Sequence, residues 1–184
     1  NVKVYYNSTG GRTNCGDGKY NDQPAATSSA ACKDITAGCY GTSATKACPA
    51  VCGDNKYSDK GAAACSSCDS DYGNSGTTAA AHEGVASCKV TCAAGKYVAE
   101  KNAACSDVGD GYYRSGTETV SQGNTGSRNK CTGLGGFYTN SDSGRDASTD
   151  CFGNTTAGNF IQTAKSGQTE CTKGGYCPGN VKVY

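Results

Sequence analysis

Four cysteines, Cys48, Cys52, Cys65 and Cys68, stand in the order Cys-x3-Cys-x12-Cys-x2-Cys, which is the ligand spacing of a tetrahedral four-thiolate zinc site. Ten further cysteines follow the same local grammar along the chain without forming a second such set, and no basic cluster flanks the four. An even total of fourteen in a chain of this kind reads as a disulfide framework. The four are therefore expected to be half-cystines. A redox centre at Cys65 and Cys68 would need a βαβ setting, and the flanking residues carry no such pattern.

The other chemistry-bearing residues are sparse. His82 is the single histidine and Glu83 follows it, so neither a paired-histidine metal motif nor a serine triad with a nucleophile elbow can be assembled. The expectation is an exposed loop histidine. Asp69 with Asp71, Asp107 with Asp110, and Asp142 with Asp146 offer oxygen ligands for calcium, but none completes a twelve-residue loop with its terminal glutamate. Aspartate beside glycine forms turns through local hydrogen bonds, and the run Gly133-Leu134-Gly135-Gly136 lacks the Lys-Ser/Thr pair of a phosphate cradle. No catalytic residue, metal ligand or cofactor is expected, and the chain is read as not an enzyme. Asn7-Ser8-Thr9 and Asn154-Thr155-Thr156 are acceptor sequences for N-linked sugar, so Asn7 and Asn154 are expected to be glycosylated.

What positions these residues cannot be an ordinary apolar core. The 184 residues contain one leucine, Leu134, and no methionine or tryptophan. So little aliphatic surface does not offset a backbone entropy of roughly 1–2 kcal/mol per residue, whereas each disulfide contributes about 2–4 kcal/mol. Such a framework places the chain in an oxidising compartment, extracellular or at a cell surface. Seventeen basic against sixteen acidic residues, with no charge run, argue against a nucleic-acid partner. No apolar stretch is long enough to span a bilayer.

Organisation is set by a repeat. Cys52-Gly53-Asp54-Asn55-Lys56-Tyr57 has near-copies opening at Cys15, Cys92, Cys131 and Cys171, each a cysteine, a small flexible segment and an aromatic ring; the leading cysteines lie 37, 40, 39 and 40 residues apart. The predicted units are residues 15–51, 52–91, 92–130 and 131–170, with 1–14 as a strand and turn at the repeat junction and 171–184 as the start of the next unit. A second loop of similar grammar follows inside each unit, at Cys39-Tyr40-Gly41, at Cys68 with Tyr72, after Cys105 at Gly111-Tyr112-Tyr113, and after Cys151 at Gly158-Asn159-Phe160. The predicted fold is small, disulfide-rich and irregular, with short β-strands and the units stacked into an elongated rod. Thr77 to Val85, with three consecutive alanines, is the one candidate for a turn or two of helix.

Two pairing schemes compete. Joining neighbours in order links Cys15 with Cys32, Cys39 with Cys48, Cys52 with Cys65, Cys68 with Cys88, Cys92 with Cys105, Cys131 with Cys151 and Cys171 with Cys177, and puts a ring inside every closed loop. An interlaced scheme links Cys48 with Cys65 and Cys52 with Cys68. Sequence alone does not choose between them.

The ends of the chain are copies. Asn180-Val181-Lys182-Val183-Tyr184 repeats Asn1-Val2-Lys3-Val4-Tyr5 letter for letter, a match with a chance on the order of one in a million at a fixed pair of positions. Its alternation suits a half-buried strand. The expected account is a tandem array of period 179, in which Val2, Val4, Tyr5, Val181, Val183 and Tyr184 form the polymer junction.

The Cys-x3-Gly/Lys-Tyr grammar, with paired cysteines at Cys48/Cys52, Cys65/Cys68 and Cys88/Cys92 and Ala/Thr-rich filling at Ala62-Ala63-Ala64 and Thr77-Thr78-Ala79, resembles the immobilisation antigens of ciliates. More distantly it resembles ephrin-receptor-like and growth-factor-receptor-like cysteine-rich modules. The paired cysteines are lost from Cys105 onward, a departure from the pattern. The resemblance implies a structural protein of the cell surface or exterior with no enzymatic activity. The expected function is a protomer of a glycosylated filament, appendage or coat that partners with itself; the alternative is a receptor-like or adhesin ectodomain binding a protein or glycan.

Overall fold

The computed structural model describes residues 5–6, 11–131, 145–148, 151, 153–154, 159–160, 169–171, 173, 176 and 182–183. Two compact units divide the chain, Asn1–Val90 with Val120–Asn124, and Thr91–Thr119 with Thr125–Tyr184. Described strands pair two by two in nine two-stranded sheets. Among the described residues no strand exceeds four residues, as expected of a chain whose glycines and polar turns interrupt every apolar alternation.

In the first unit Tyr5–Tyr6 pairs with Arg12–Thr13, Lys19–Tyr20 with Lys33–Asp34, Cys39–Tyr40 with Ala50–Val51, and Lys56–Tyr57 with Ser66–Ser67, all antiparallel. In the second, Lys96–Val98 pairs with Cys105–Asp107, Tyr112–Tyr113 with Asn129–Lys130, Gly153–Asn154 with Lys182–Val183, and Asn159–Phe160 with Thr169–Glu170. Lys89–Cys92 pairs with Glu118–Ser121. The candidate helix is a short 3-10 turn, Ala79–His82, followed by another at Val85–Ser87; the alanine run is too short to propagate an α-helix.

Six disulfides are described: Cys15–Cys32, Cys39–Cys48, Cys52–Cys65, Cys68–Cys88, Cys92–Cys105 and Cys131–Cys151. Each joins a cysteine to the next one along the chain, which is the sequential scheme and not the interlaced one. Cys171 is also disulfide-bonded, and Cys177 lies outside the described residues. In three of them the second cysteine opens or immediately precedes the returning strand of a hairpin: Cys32 before Lys33–Asp34, Cys65 before Ser66–Ser67, and Cys105 at the head of Cys105–Asp107; Cys88 precedes Lys89–Cys92, whose partner is Glu118–Ser121. In these three hairpins the bridge ties the loop end of the returning strand to a cysteine four residues ahead of the first strand, supplementing a ladder too short to be stable by itself.

One turn is used repeatedly. Gly18, Gly38, Asn55, Gly95 and Gly111 each have positive φ, between 58° and 78°, and each precedes the two residues that end in Tyr20, Tyr40, Tyr57, Tyr97 and Tyr113. Turns of this kind need φ > 0 at their third residue, which glycine supplies without strain and asparagine tolerates. The same residues tie each turn to the following one. The carbonyls of Gly18, Gly38 and Asn55 accept from the N–H of Ile35, Cys52 and Cys68, and those of Gly95 and Gly111 from Val108 and Cys131, all at 2.8–3.0 Å. In return, the N–H groups of Gly18, Gly38 and Gly95 donate to the carbonyls of Gly41, Ser58 and Arg114, each one residue past the next turn's tyrosine.

The first position of this recurring turn need not be cysteine. Cys15, Cys52, Cys92 and Cys131 are buried there, and Ile35 and Val108, each 0% exposed, fill the same position in two other half-units. The residue after four of the five rings is buried as well: Asn21, Ser58, Val98 and Arg114. Their backbone carries a third set of links, since Asn21, Gly41, Ser58 and Arg114 donate to the carbonyls of Ala44, Ala62, His82 and Arg145. Backbone hydrogen bonds and cystines thus hold what a leucine core holds elsewhere. The main aliphatic cluster is small: Ile35, Cys39 and Ala44, with Tyr20, Cys48, Val51 and Ala79 against it.

Candidate functional site

The four cysteines with zinc spacing are divided among three bridges, Cys48 to Cys39, Cys52 to Cys65 and Cys68 to Cys88. No thiolate is left among them to bind metal or exchange disulfides. Among the described residues no group of three or more His, Cys, Asp or Glu side chains is arranged to hold an ion. Asp107 pairs with Lys96 and Asp110 with Arg145, Asp69 and Asp71 stand beside the buried Tyr72, and Asp142 lies outside the described residues.

His82 corrects the sequence reading. It is fully buried, not an exposed loop residue. Its Nδ1 lies 2.9 Å from the Lys56 carbonyl and its Nε2 3.0 Å from the Gly76 carbonyl, while its own carbonyl accepts from the Ser58 N–H. The ring spans two backbone segments of the first unit and has no reacting partner, so its role is architectural. Nothing in the local sequence marks this; the one available hint is that the only histidine follows three alanines, small enough to let the chain turn inward.

Arg114 and Arg128 are also structural. Arg114 is buried and sits 3.3 Å from Glu118, whose carboxylate in turn accepts from the N–H and hydroxyl of Ser127. The Arg128 guanidinium lies over two rings, 3.7 Å from the centre of Tyr112 and 4.7 Å from that of Tyr97, two cation–π contacts, and donates to the Val108 carbonyl. Spacing alone could not bring these three residues together.

The junction residues fall in two hairpins. In the first copy Tyr5 is opposite Thr13 and Tyr6 opposite Arg12; in the second, Lys182 is opposite Asn154 and Val183 opposite Gly153. Val2, Val4, Val181 and Tyr184 lie outside the described residues, as does Asn7. The acceptor Asn154 is therefore on the strand that pairs with the second copy, and Asn7 directly follows the strand that contains the end of the first.

One cavity of about 380 Å³ opens in the first unit, lined by Tyr40, Gly53, Asp54, Lys56, Ala64 and Cys65. Gly53, Asp54 and Lys56 of one turn and Tyr40 after the preceding turn both contribute to its lining. Asp54 accepts from the Gly76 N–H at 3.3 Å.

Among the described residues no helix is long and apolar enough to cross a membrane, and the density of cystines fits a secreted or extracellular protein. Comparison with protein-family models, with curated proteins and with solved structures returned no match.

Proposed function

We propose that this chain is a structural protomer, one period of a tandem repeat, of a glycosylated extracellular filament or cell coat. The observation that carries the reading is how the two copies of Asn-Val-Lys-Val-Tyr pair. The second copy uses its Lys182 and Val183 toward Gly153–Asn154, and the first uses Tyr5, with Tyr6, toward Arg12–Thr13. These are different positions of the same pentapeptide. A single strand Asn-Val-Lys-Val-Tyr-Tyr accommodates both partners at once, its Lys-Val half closing one period and its Tyr-Tyr half opening the next.

The half-unit links support the same reading. Each turn offers its positive-φ carbonyl to the next, an arrangement that extends by addition of further units, as in solenoids stabilised by nearest neighbours. A head-to-tail join that does not close on itself gives an open fibre. Asn154 is paired with Lys182 of the second copy and Asn7 follows Tyr6 in sequence, so sugar on these two acceptors would sit close along the chain or across the ladder to the join. In this reading the rod is rigid, covalently stapled and chemically inert, which suits a surface appendage of the sort the ciliate antigens suggest.

The test is a digest of the native material cut only after arginine. The tandem reading expects a peptide running from Asp146 through Tyr184 directly into the sequence of Tyr6–Arg12. A different sequence after Tyr184 refutes the covalent array.

A further inference from the structure

Three hairpins begin a strand with Lys-Tyr, and they differ in one place. Lys19 is opposite Asp34 and its Nζ lies 2.7 Å from the carboxylate; Lys96 is opposite Asp107, at 2.9 Å. In the middle hairpin Lys56 is opposite Ser67, and among the described residues no carboxylate lies within ion-pairing distance of its ammonium. This lysine, and not its two equivalents, lines the cavity. Tyr40 lines the same cavity and is 37% exposed, whereas Tyr20, Tyr57, Tyr97 and Tyr113 at the same position after their turns are half-buried.

We propose that this cavity binds a hexuronic acid residue of an acidic polysaccharide. The ring of Tyr40 offers an apolar, flat surface for the C–H face of a pyranose. Lys56 offers an unneutralised ammonium for the sugar's carboxylate, a charge-assisted pair stronger than a neutral hydrogen bond. Asp54, one oxygen of which is held by Gly76, offers acceptor capacity to ring hydroxyls. The volume falls at the lower end of ligand pockets, which run from roughly 300 to 1,000 Å³, enough for one sugar with its neighbours in the chain lying outside. Repetition supplies the control: where the cross-strand aspartate is present the lysine is occupied, and where serine replaces it the lysine faces a cavity. The inference does not depend on polymerisation, since all six lining residues lie within one unit.

The experiment titrates the fully oxidised chain with a tetramer of galacturonic acid and, separately, with the neutral galactose tetramer, followed by calorimetry and by backbone amide shifts. Saturable binding of the acidic tetramer, at least tenfold tighter than the neutral one, is expected, with shifts centred on Tyr40, Gly53 and Lys56. K56Q is expected to weaken it tenfold or more. S67D is the sharper variant: Ser67 is exposed and outside the cavity lining, and aspartate there recreates the pairing of Lys19 and Lys96. It is expected to leave the melting temperature and disulfide map unchanged while weakening binding tenfold or more. Absence of saturable binding, equal affinity for the neutral tetramer, or wild-type affinity in both K56Q and S67D overturns the proposal.

Discussion

Truncating Ile35 to alanine tests whether a single aliphatic side chain can stand in for a half-cystine at the head of a repeat. Ile35 is completely buried against Cys39 and Ala44, with Tyr20, Cys48, Val51 and Ala79 around it. Its N–H donates to Gly18 and its carbonyl accepts from Gly61, both at 2.8 Å, and alanine keeps both bonds. What the substitution removes is three carbons. At about 0.8 kcal/mol per buried methylene the transfer loss is about 2.4 kcal/mol. The cavity left behind adds about 24 cal/mol per Å³ that does not collapse, which places the total in the usual range of about 2–5 kcal/mol. Collapse is hindered here because Cys39 and Cys48 are locked by their bridge. The assay is denaturant unfolding of the oxidised protein, with I35V expected to cost about 0.5–1.5 kcal/mol. V85A, at a side chain 39% exposed, serves as the control and is expected to stay within about 0.5 kcal/mol. If I35A costs no more than V85A, the cluster does not hold the repeat and the bridges alone do.

Gly38 has φ of 78°, and a Cβ built on it would lie 1.9 Å from the Ala79 carbonyl oxygen; G38A is expected to lose more than about 3 kcal/mol or to yield mis-paired disulfides, whereas G16A, with nothing within 4 Å, is expected to be silent in the same refolding yield and melting assay. Hydrogen bonds from Lys33, Lys19 and Lys96 hold the carboxyls of Asp22, Asp34 and Asp107 below the ordinary value of 3.8. Because the folded state favours their charged forms, this contribution is complete above the ordinary value and is lost as pH falls through the lowered ones; melting temperature is expected to drop below about pH 4, and less so in D34N/D107N, with the effect small because these groups are exposed. Burial, followed by the charges of Asp69 and Asp71, raises the phenol of Tyr72 above its ordinary value of 10.0. The folded state then keeps its proton longer than the unfolded chain, so stability falls as pH rises past about 10, and Y72F is expected to flatten that alkaline decline in melting temperature.

Much of the scaffold was legible because its determinants are local. Cysteine followed by a small segment and a ring predicts a stapled turn, and the cystines at Cys52–Cys65 and Cys92–Cys105 close such turns. Composition alone pointed away from helix and from an aliphatic core. The links between half-units were not legible, since backbone hydrogen bonds such as Ile35 to Gly18 leave no signature in residue type. Ile35 and Val108 escaped notice for the same reason: a search keyed on cysteine does not see a position whose requirement is burial. His82 was misplaced because a lone histidine in a polar stretch carries no periodicity, while its inward position is set by the 3-10 turn Ala79–His82 and by carbonyls from distant residues. The cavity became visible only when the three Lys-Tyr hairpins could be compared in register, where Ser67 stands in place of aspartate.

The central claim, that the chain is one period of an open polymer joined through its repeated strand, is tested most directly by electron microscopy of the native material. The account predicts unbranched fibres with a regular axial repeat that persist under non-reducing denaturant and shorten to fragments on proteolysis between periods. A field of compact particles, each the size of a single 184-residue chain, would contradict it.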